Sequence, residues 1–465
     1  MEAVGVTGEP VGGVTSMRIL VVTNLYPPHY HGGYEVRCAQ VAGALRAAGH
    51  DVCVLTSAYG LPLTALGGIR RRREVIDGVP VHRVLNQYFY PPQPRLRPWT
   101  LLQAMRELAD ARAFADLLEQ FRPDIVSWWS MYGLSKTLLP LPPARGIPDV
   151  HWIEHWWMIA DYGRGRVDPS AFWVRLWDGQ WGPRLLRPVL RLAGRAVESR
   201  TIREGLWTRT LPNRPRHVCF VSEHMRTMHR EAGLDFPSSE VIHGGVPPAA
   251  FYEAVATRRR PAGKLRLMYA GQITPDRGLH TVIEALGHLD PRVRAHVTLD
   301  VVGTGSSNYL TRIRTRIGQL ELGDRVVFHG KVAHDQMPHI YKDHDVLVFP
   351  SVRDEGLPLT MVEAMLAGCA VVTTGSGGAM EVATAADLPL FPKDDGIALS
   401  RILTSLATKP EEVARLAAMG QEVALRDFGF DTMMARWTAT LQRLHQTRAR
   451  RAPAGTASTP HTADV

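Results

Sequence analysis

The chain predicts an α/β protein built from two doubly wound, Rossmann-like domains. Three observations predict it. Short apolar runs suited to buried parallel strands alternate with segments of helical spacing along most of the chain. That alternation breaks once, near residue 250, in a stretch rich in Pro, Ala and Arg, and then resumes. Finally, 465 residues are too many for one ordinary core but suit two α/β domains with tails.

Residues 1–16 are rich in Gly, Val and Thr without periodicity and read as a disordered leader. Residues 18–23 (RILVVT) are fit for a buried strand, and a loop with Pro27, Pro28, Gly32 and Gly33 follows. Val36, Ala39, Val41, Ala42 and Leu45 then recur at helical spacing until Gly49 stops the helix. Residues 51–56 (DVCVLT) are the next strand, so the chain opens as half of a doubly wound domain. Further strands are expected at 79–85, 124–128, 150–154 and 217–221. The first domain thus covers 17–246 and a linker covers 247–263. A second domain, 264–428, carries strands near 266–270, 297–302, 325–329, 345–350 and 370–374. A last helix spans 430–446, and 447–465, rich in Arg, Ala, Thr and Pro, reads as a disordered tail.

Composition narrows the function classes. An apolar content of 45% with 21% charged residues is that of a soluble globular protein, and no run is long enough for a membrane span. Neither a basic start nor a sustained apolar stretch marks a secretory signal. Cys38, Cys53, Cys219 and Cys369 are far apart, which suits free thiols in a reducing cytosol. The net charge of +9 attracts something acidic: a nucleotide diphosphate, an anionic lipid headgroup or nucleic acid. No nucleic-acid-binding signature accompanies it. The runs Arg71–Arg72–Arg73 and Arg258–Arg259–Arg260 read as solvated loops. Richness in Arg and Ala suggests a GC-rich bacterial source.

The densest chemistry lies in residues 349–381. A strand end leads into the loop Arg353–Asp354–Glu355–Gly356–Leu357–Pro358, then a helix from about Leu359 to Ala367. The next strand ends in a second loop, Gly375–Ser376–Gly377–Gly378–Ala379–Met380–Glu381. Both loops fall at carboxyl ends of strands, where open α/β sheets bind ligands. Helix starts there offer N–H donors to phosphate. Were Glu355 and Glu363 both helical they would stand about 12 Å apart along the axis. A retaining glycosidase pair needs about 5–5.5 Å, so these two are not an acid and nucleophile on one bond. They suit opposite ends of an extended ligand, though spacing alone also admits an exposed loop acid and a helix-surface acid.

The order Glu355–Gly356–Leu357–Pro358–Leu359, Glu363–Ala364–Met365 and Gly368 resembles the paired-glutamate signature of family-4 retaining glycosyltransferases of the GT-B fold. The resemblance runs from about Met17 to Leu444. It takes in the Pro27–Gly33 loop, Ala47–Val52, Val221–Glu223, Val241–Val246, Val302–Gly305 and Phe328–Val332. It implies two domains facing a cleft, with the last helix crossing back to the first. The activity it implies is transfer of a hexosyl group from a nucleotide-diphosphate sugar, with retained configuration. Glu363 would hold the ribose hydroxyls and Glu355 the transferred sugar. Amides near Gly356, Leu359 and Thr360 would touch the sugar or distal phosphate. Gly32 and Gly33 would approach the diphosphate from the first domain. Relatives generally need no metal, and no cofactor is expected.

The chain departs from that pattern twice. Relatives commonly place Arg after the glycine of the second domain's first strand, with a basic residue five positions later. Here Gly271 is followed by Gln272, and Arg277 holds the later position. Arg277 can neutralise a leaving diphosphate by a bidentate fork. The missing cation would come from Lys331, from Arg353, or not at all. Relatives also carry His–Asp at a first-domain strand end facing the donor sugar. Here His155 is followed by Trp156, and His155 is the candidate for contact at the reacting carbon, with a structural histidine as the alternative.

Trp173, Trp177 and Trp181 recur every four residues, with Arg175, Arg184, Arg187, Arg191 and Arg195 among or after them. That segment packs on the first sheet, walls the acceptor, or rests on an anionic membrane at its cytoplasmic face; the breaks at Gly179 and Pro183 favour the acceptor wall over a membrane helix. The acceptor itself (lipid, polysaccharide or natural product) is not readable. A rival reading is an accessory protein that binds sugar nucleotides with weak catalysis, which Gln272 and Trp156 favour. A nicotinamide-dependent Rossmann enzyme is disfavoured because no GxGxxG follows the first strand.

Overall fold

A computed structural model describes residues 16–61, 72–87, 99–162, 215–256 and 263–451, together with Leu185, Pro188, Val189 and Leu192. The chain divides into two compact units. One comprises Met1–His151, Val167–His217 and Thr440–Val465; the other comprises Trp152–Arg166 and Val218–Ala439.

In the first unit the strands are β1 (Arg18–Val22), β2 (Asp51–Ser57), β3 (Arg72–Ile76), β4 (Val79–Leu85), β5 (Ile125–Trp128) and β6 (Asp149–Ile153). They lie in the order β3-β4-β2-β1-β5-β6. β1 runs parallel to β2, pairing Arg18 with Asp51, and to β5, pairing Ile19 with Ile125. The four residues from Ile19 to Val22 are fully buried because helices cover both faces of a parallel sheet. The helix Gly33–Ala47 buries Cys38, Val41, Ala42 and Leu45, the predicted stripe. β3 corrects the sequence reading: Arg72 and Arg73 are exposed residues of an antiparallel edge strand, not of a loop. The hairpin forms because Asp77 and Gly78 both take positive φ, 49° and 76°, as a two-residue turn demands.

The second unit carries β7 (His217–Phe220, from Val218 onward), β8 (Ser238–Val241), β9 (Leu265–Ala270), β10 (Val297–Val302), β11 (Val326–Gly330), β12 (Val346–Phe349) and β13 (Ala370–Thr373). Residues 218–246 fall within this unit by contact density. Its five-stranded sheet has the order β11-β10-β9-β12-β13 and every pairing is parallel. Side chains alternate between faces, so Leu267 and Tyr269 enter one apolar cluster and Met268 and Ala270 another. Both faces are covered, as a doubly wound sheet requires. The strand order reverses between β9 and β12, the position where such sheets open a crevice beyond their carboxyl ends.

Two element boundaries differ from expectation. The stretch read as a linker begins with a helix, Ala249–Ala256, whose Phe251 is buried in the second unit's core; residues 257–262 lie outside the described residues. The final helix runs from Phe430 to Arg451, past residue 446, because nothing before Pro453 interrupts it. The expected disorder of residues 1–15 and 452–465 lies outside the described residues. Among the described residues no helix is long and apolar enough to cross a membrane.

Candidate active site

The loops after β9, β10, β12 and β13 pack backbone against backbone. A Cβ on Gly303 would stand 1.8 Å from the Gly271 carbonyl oxygen, and one on Gly378 would stand 1.9 Å from that of Gly356. Gly271 and Gly303 also have φ of 150° and 138°, a region L side chains rarely enter. The glycines therefore let four strand ends converge without side chains between them.

Glu355 sits on the loop after β12, before the helix, so the helical estimate of its distance from Glu363 does not apply. Its main chain bridges to Gly377, and its carbonyl accepts the Gly378 N–H at 2.8 Å. Ser351 Oγ donates to Oε1 at 2.8 Å, and Arg277 Nη1 donates to the same oxygen. Ser351 is itself fixed, its carbonyl accepting from Ser376 Oγ at 2.8 Å and Thr374 Oγ1 at 2.5 Å. Arg277 ends the short 3-10 turn Pro275–Arg277 after β9, so the strand reversal puts it opposite Glu355. Its Nε is buried and forms no hydrogen bond, a donor facing no acceptor within the protein. Asp276 beside it is held below the usual carboxylate range, first by the Thr274 hydroxyl and then against the opposing effect of burial.

Glu363 lies in the middle of the helix Leu359–Leu366 and is buried. Tyr341 OH donates to its Oε2 at 3.1 Å, and His334 Nδ1 lies 3.9 Å from Oε1. The two glutamates thus have separate partners and belong to separate ends of the site. Leu359 and Thr360, half-buried, open the same helix, where backbone N–H groups have no intrahelical acceptor.

In this same unit, the turn after β6 meets the Glu355 loop. A Cβ on Gly356 would fall 2.2 Å from the Glu154 carbonyl oxygen, and Ser222 Oγ donates to the Gly356 carbonyl at 2.6 Å. His155 follows in that turn. Its Nδ1 accepts the Trp157 N–H at 3.0 Å, which places the proton of the neutral ring on Nε2. Trp156 beside it is 45% exposed. Glu381 accepts the N–H groups of Glu223 and His224 at 3.1 and 2.8 Å, and His243 Nε2 lies 3.0 Å away. Burial alone would raise the Glu381 pKa; these hydrogen bonds outweigh it and lower it.

Gln272 is exposed, its carbonyl accepting from Tyr269 OH at 2.7 Å. Of the two cations named from the sequence as replacements for its missing charge, Arg353 Nη1 is 3.8 Å from Asp276, and Lys331 is exposed just beyond β11. In the first unit, Gly32 donates its N–H to Glu35 Oε2 at 3.0 Å, and a Cβ there would meet nothing closer than 3.8 Å. The protein's own packing does not require glycine at that position. Among the described residues, no group of three His, Cys or acidic side chains with converging ligand atoms lies on these loops. Sequence reasoning gave no role to Ser351, Tyr341, His334 or Ser222. Their roles depend on which loops meet, and no local pattern marks them.

Residues 253–423 match the family profile of glycosyl transferases group 1, and residues 31–250 match that of glycosyltransferase family 4. An uncharacterised glycosyltransferase of Methanocaldococcus jannaschii is 26% identical over 79% of this chain and 82% of its own length. A GDP-mannose-dependent α-(1-6)-phosphatidylinositol monomannoside mannosyltransferase of Mycobacterium tuberculosis is 27% identical over 56% of this chain and 74% of its own. Among solved structures, Anabaena HepE in complex with UDP aligns with TM-score 0.60 at 18% identity, over 92% of this chain and all of that one. Sucrose-phosphate synthase of Thermosynechococcus elongatus aligns with TM-score 0.63 at 18% identity, over 92% and 99%. These neighbours share the GT-B fold.

Proposed function

This chain belongs to the family-4 glycosyltransferases, and from that premise we propose that it transfers a hexosyl group from a nucleotide-diphosphate sugar with retained configuration. The observation that carries the reading is Arg277. Its Nη1 is held by Glu355 while its buried Nε lacks an acceptor, at the switch point of the second sheet. A diphosphate oxygen is the acceptor that position suits. Glu363 takes the ribose, Glu355 the sugar, and the N–H groups of Gly356, Leu359 and Thr360 the sugar or distal phosphate. Gly271, Gln272 and Lys331 border that ligand.

The bond from the anomeric carbon to the diphosphate oxygen breaks with its electron pair passing to phosphate. An acceptor hydroxyl attacks the same face, and its proton passes to the departing phosphate oxygen. Arg277 and the helix-start amides stabilise the charge that develops, and His155 contacts the sugar at the reacting carbon. No metal or cofactor enters the scheme.

Purified protein incubated with a panel of nucleotide sugars tests this. Donor hydrolysis is expected for one donor, and Glu355→Gln or Glu363→Gln should lower turnover about a hundredfold or more while the folded state persists. Full turnover in the doubly substituted chain overturns the reading. Tight donor binding without turnover supports the rival, a catalytically weak accessory protein.

For the acceptor side, Leu185, Val189 and Leu192 are 92%, 64% and 70% exposed at helical spacing. Arg184, Arg187, Arg191 and Arg195 interleave with them in the sequence. That combination favours peripheral contact with an anionic membrane. Trp173, Trp177 and Trp181 lie outside the described residues.

A further inference from the structure

The second unit contains a cavity of about 550 Å³ at the edge of its sheet opposite Arg277 and Glu355. Lys264, His296 and Asp345 line it, and each stands immediately before a strand: β9, β10 and β12. Those strands run parallel, so the cavity opens at their amino ends, whereas Arg277 and the Glu355 loop follow the carboxyl ends of β9 and β12. The six residues of β9, at about 3.3 Å each, keep the two ends roughly 20 Å apart.

The far wall is a corner between two helices. Gly396–Thr408 stops at Lys409, and Pro410, which has no N–H to give and cannot extend the preceding helix, starts Pro410–Phe428. Leu406 and Val413, on either side of that corner, belong with Leu265 to the sheet's apolar cluster, and Val293 packs against it. These four side chains give the cavity an apolar floor. Its mouth is cationic. Lys264, Arg292 and His296 are exposed there, and among the described residues none of the three is in an ion pair. Asp345 is the acidic residue of the lining, and its Oδ2 accepts the Arg266 N–H at 2.9 Å. Two fixed positive charges against one negative charge suit a single added anion, and the volume falls within the roughly 300–1,000 Å³ of ordinary ligand sites.

We propose that this cavity binds a carboxylate carried on a single aliphatic chain. The chain lies on the floor of Leu265, Val293, Leu406 and Val413, and the carboxylate accepts from the Arg292 guanidinium and the Lys264 ammonium, with the His296 ring as a further donor. The site does not depend on the nucleotide reading of Arg277, Glu355 and Glu363.

The test is isothermal titration of the full chain with octanoate, hexanoate and octanol, each below its aggregation concentration. Octanoate is expected to saturate one site. Hexanoate should bind about fifteenfold more weakly, because each buried methylene is worth about fourfold in affinity. Octanol, which lacks the charge, should bind about tenfold more weakly or less. UDP and GDP should leave the octanoate affinity unchanged. Arg292→Glu combined with Lys264→Glu, both at exposed positions, should weaken octanoate about a hundredfold and make octylammonium the better ligand. Ala407→Phe, from a half-buried lining position, should fill the cavity and abolish binding; the charge-reversed chain carries the test if that variant folds poorly. Absence of saturable octanoate binding, equal affinity for hexanoate, undiminished affinity in the charge-reversed chain, or displacement by a nucleotide each overturns the proposal. A chain that binds octanoate as expected but no nucleotide sugar counts against the transferase reading and leaves this site standing.

Discussion

At the scale of single residues, the site is a set of carboxylates each held by its own donors. Glu381 shows what such holding does to stability. Its pKa is lowered in the folded chain, so the ionised carboxylate stabilises the fold above the ordinary glutamate value of about 4.5, and that contribution disappears as pH falls through the lowered native value. Glu381→Gln keeps the shape and removes the charge. It should destabilise the chain at pH 7 by about 1–2 kcal/mol, with the difference closing below about pH 4. Urea unfolding at both pH values measures this. An equal loss at both would show that the side chain acts through packing and not through its charge.

At the scale of elements, the architecture of the site is a matter of loops that touch through backbone. Gly303→Ala would put a methyl group onto the Gly271 carbonyl and force a residue with a side chain to φ of 138°. Gly263 is a matched control, with φ of 82° and open space around its missing Cβ. Conformational strain alone should make Gly263→Ala destabilising by about 1 kcal/mol. Gly303→Ala adds a clash and should exceed it by about 2 kcal/mol or more, with weaker nucleotide binding. Equal unfolding midpoints for the two variants would mean the loops have room to separate.

At the scale of the whole molecule, the net charge of +9 and the exposed Leu185, Val189 and Leu192 bear on the surroundings of the enzyme. Sedimentation with vesicles of phosphatidylcholine and phosphatidylglycerol should capture the chain, and salt screening should release it. Leu185→Ser combined with Leu192→Ser should reduce capture about tenfold or more, since each buried apolar side chain is worth about 1.5–3 kcal/mol. Equal capture by pure phosphatidylcholine, or none at all, removes the membrane from the account.

What the sequence determined by itself is the alternation of strands and helices, the strand positions from Leu265 to Thr373, the loops on which Arg277 and Glu355 ride and the helix that carries Glu363. Those follow from local periodicity and from punctuation by Gly and Pro, which a linear string carries in full. It missed β3, whose charged residues lie on an exposed edge without an apolar signal. Only the tertiary structure decided which donor serves which carboxylate: Ser351 and Arg277 for Glu355, Tyr341 for Glu363, and two backbone N–H groups with His243 for Glu381. A hydrogen bond requires atoms within about 3 Å. Residues 22 or 158 positions apart reach that distance only after the sheet has ordered its strands and the glycines have let the loops meet.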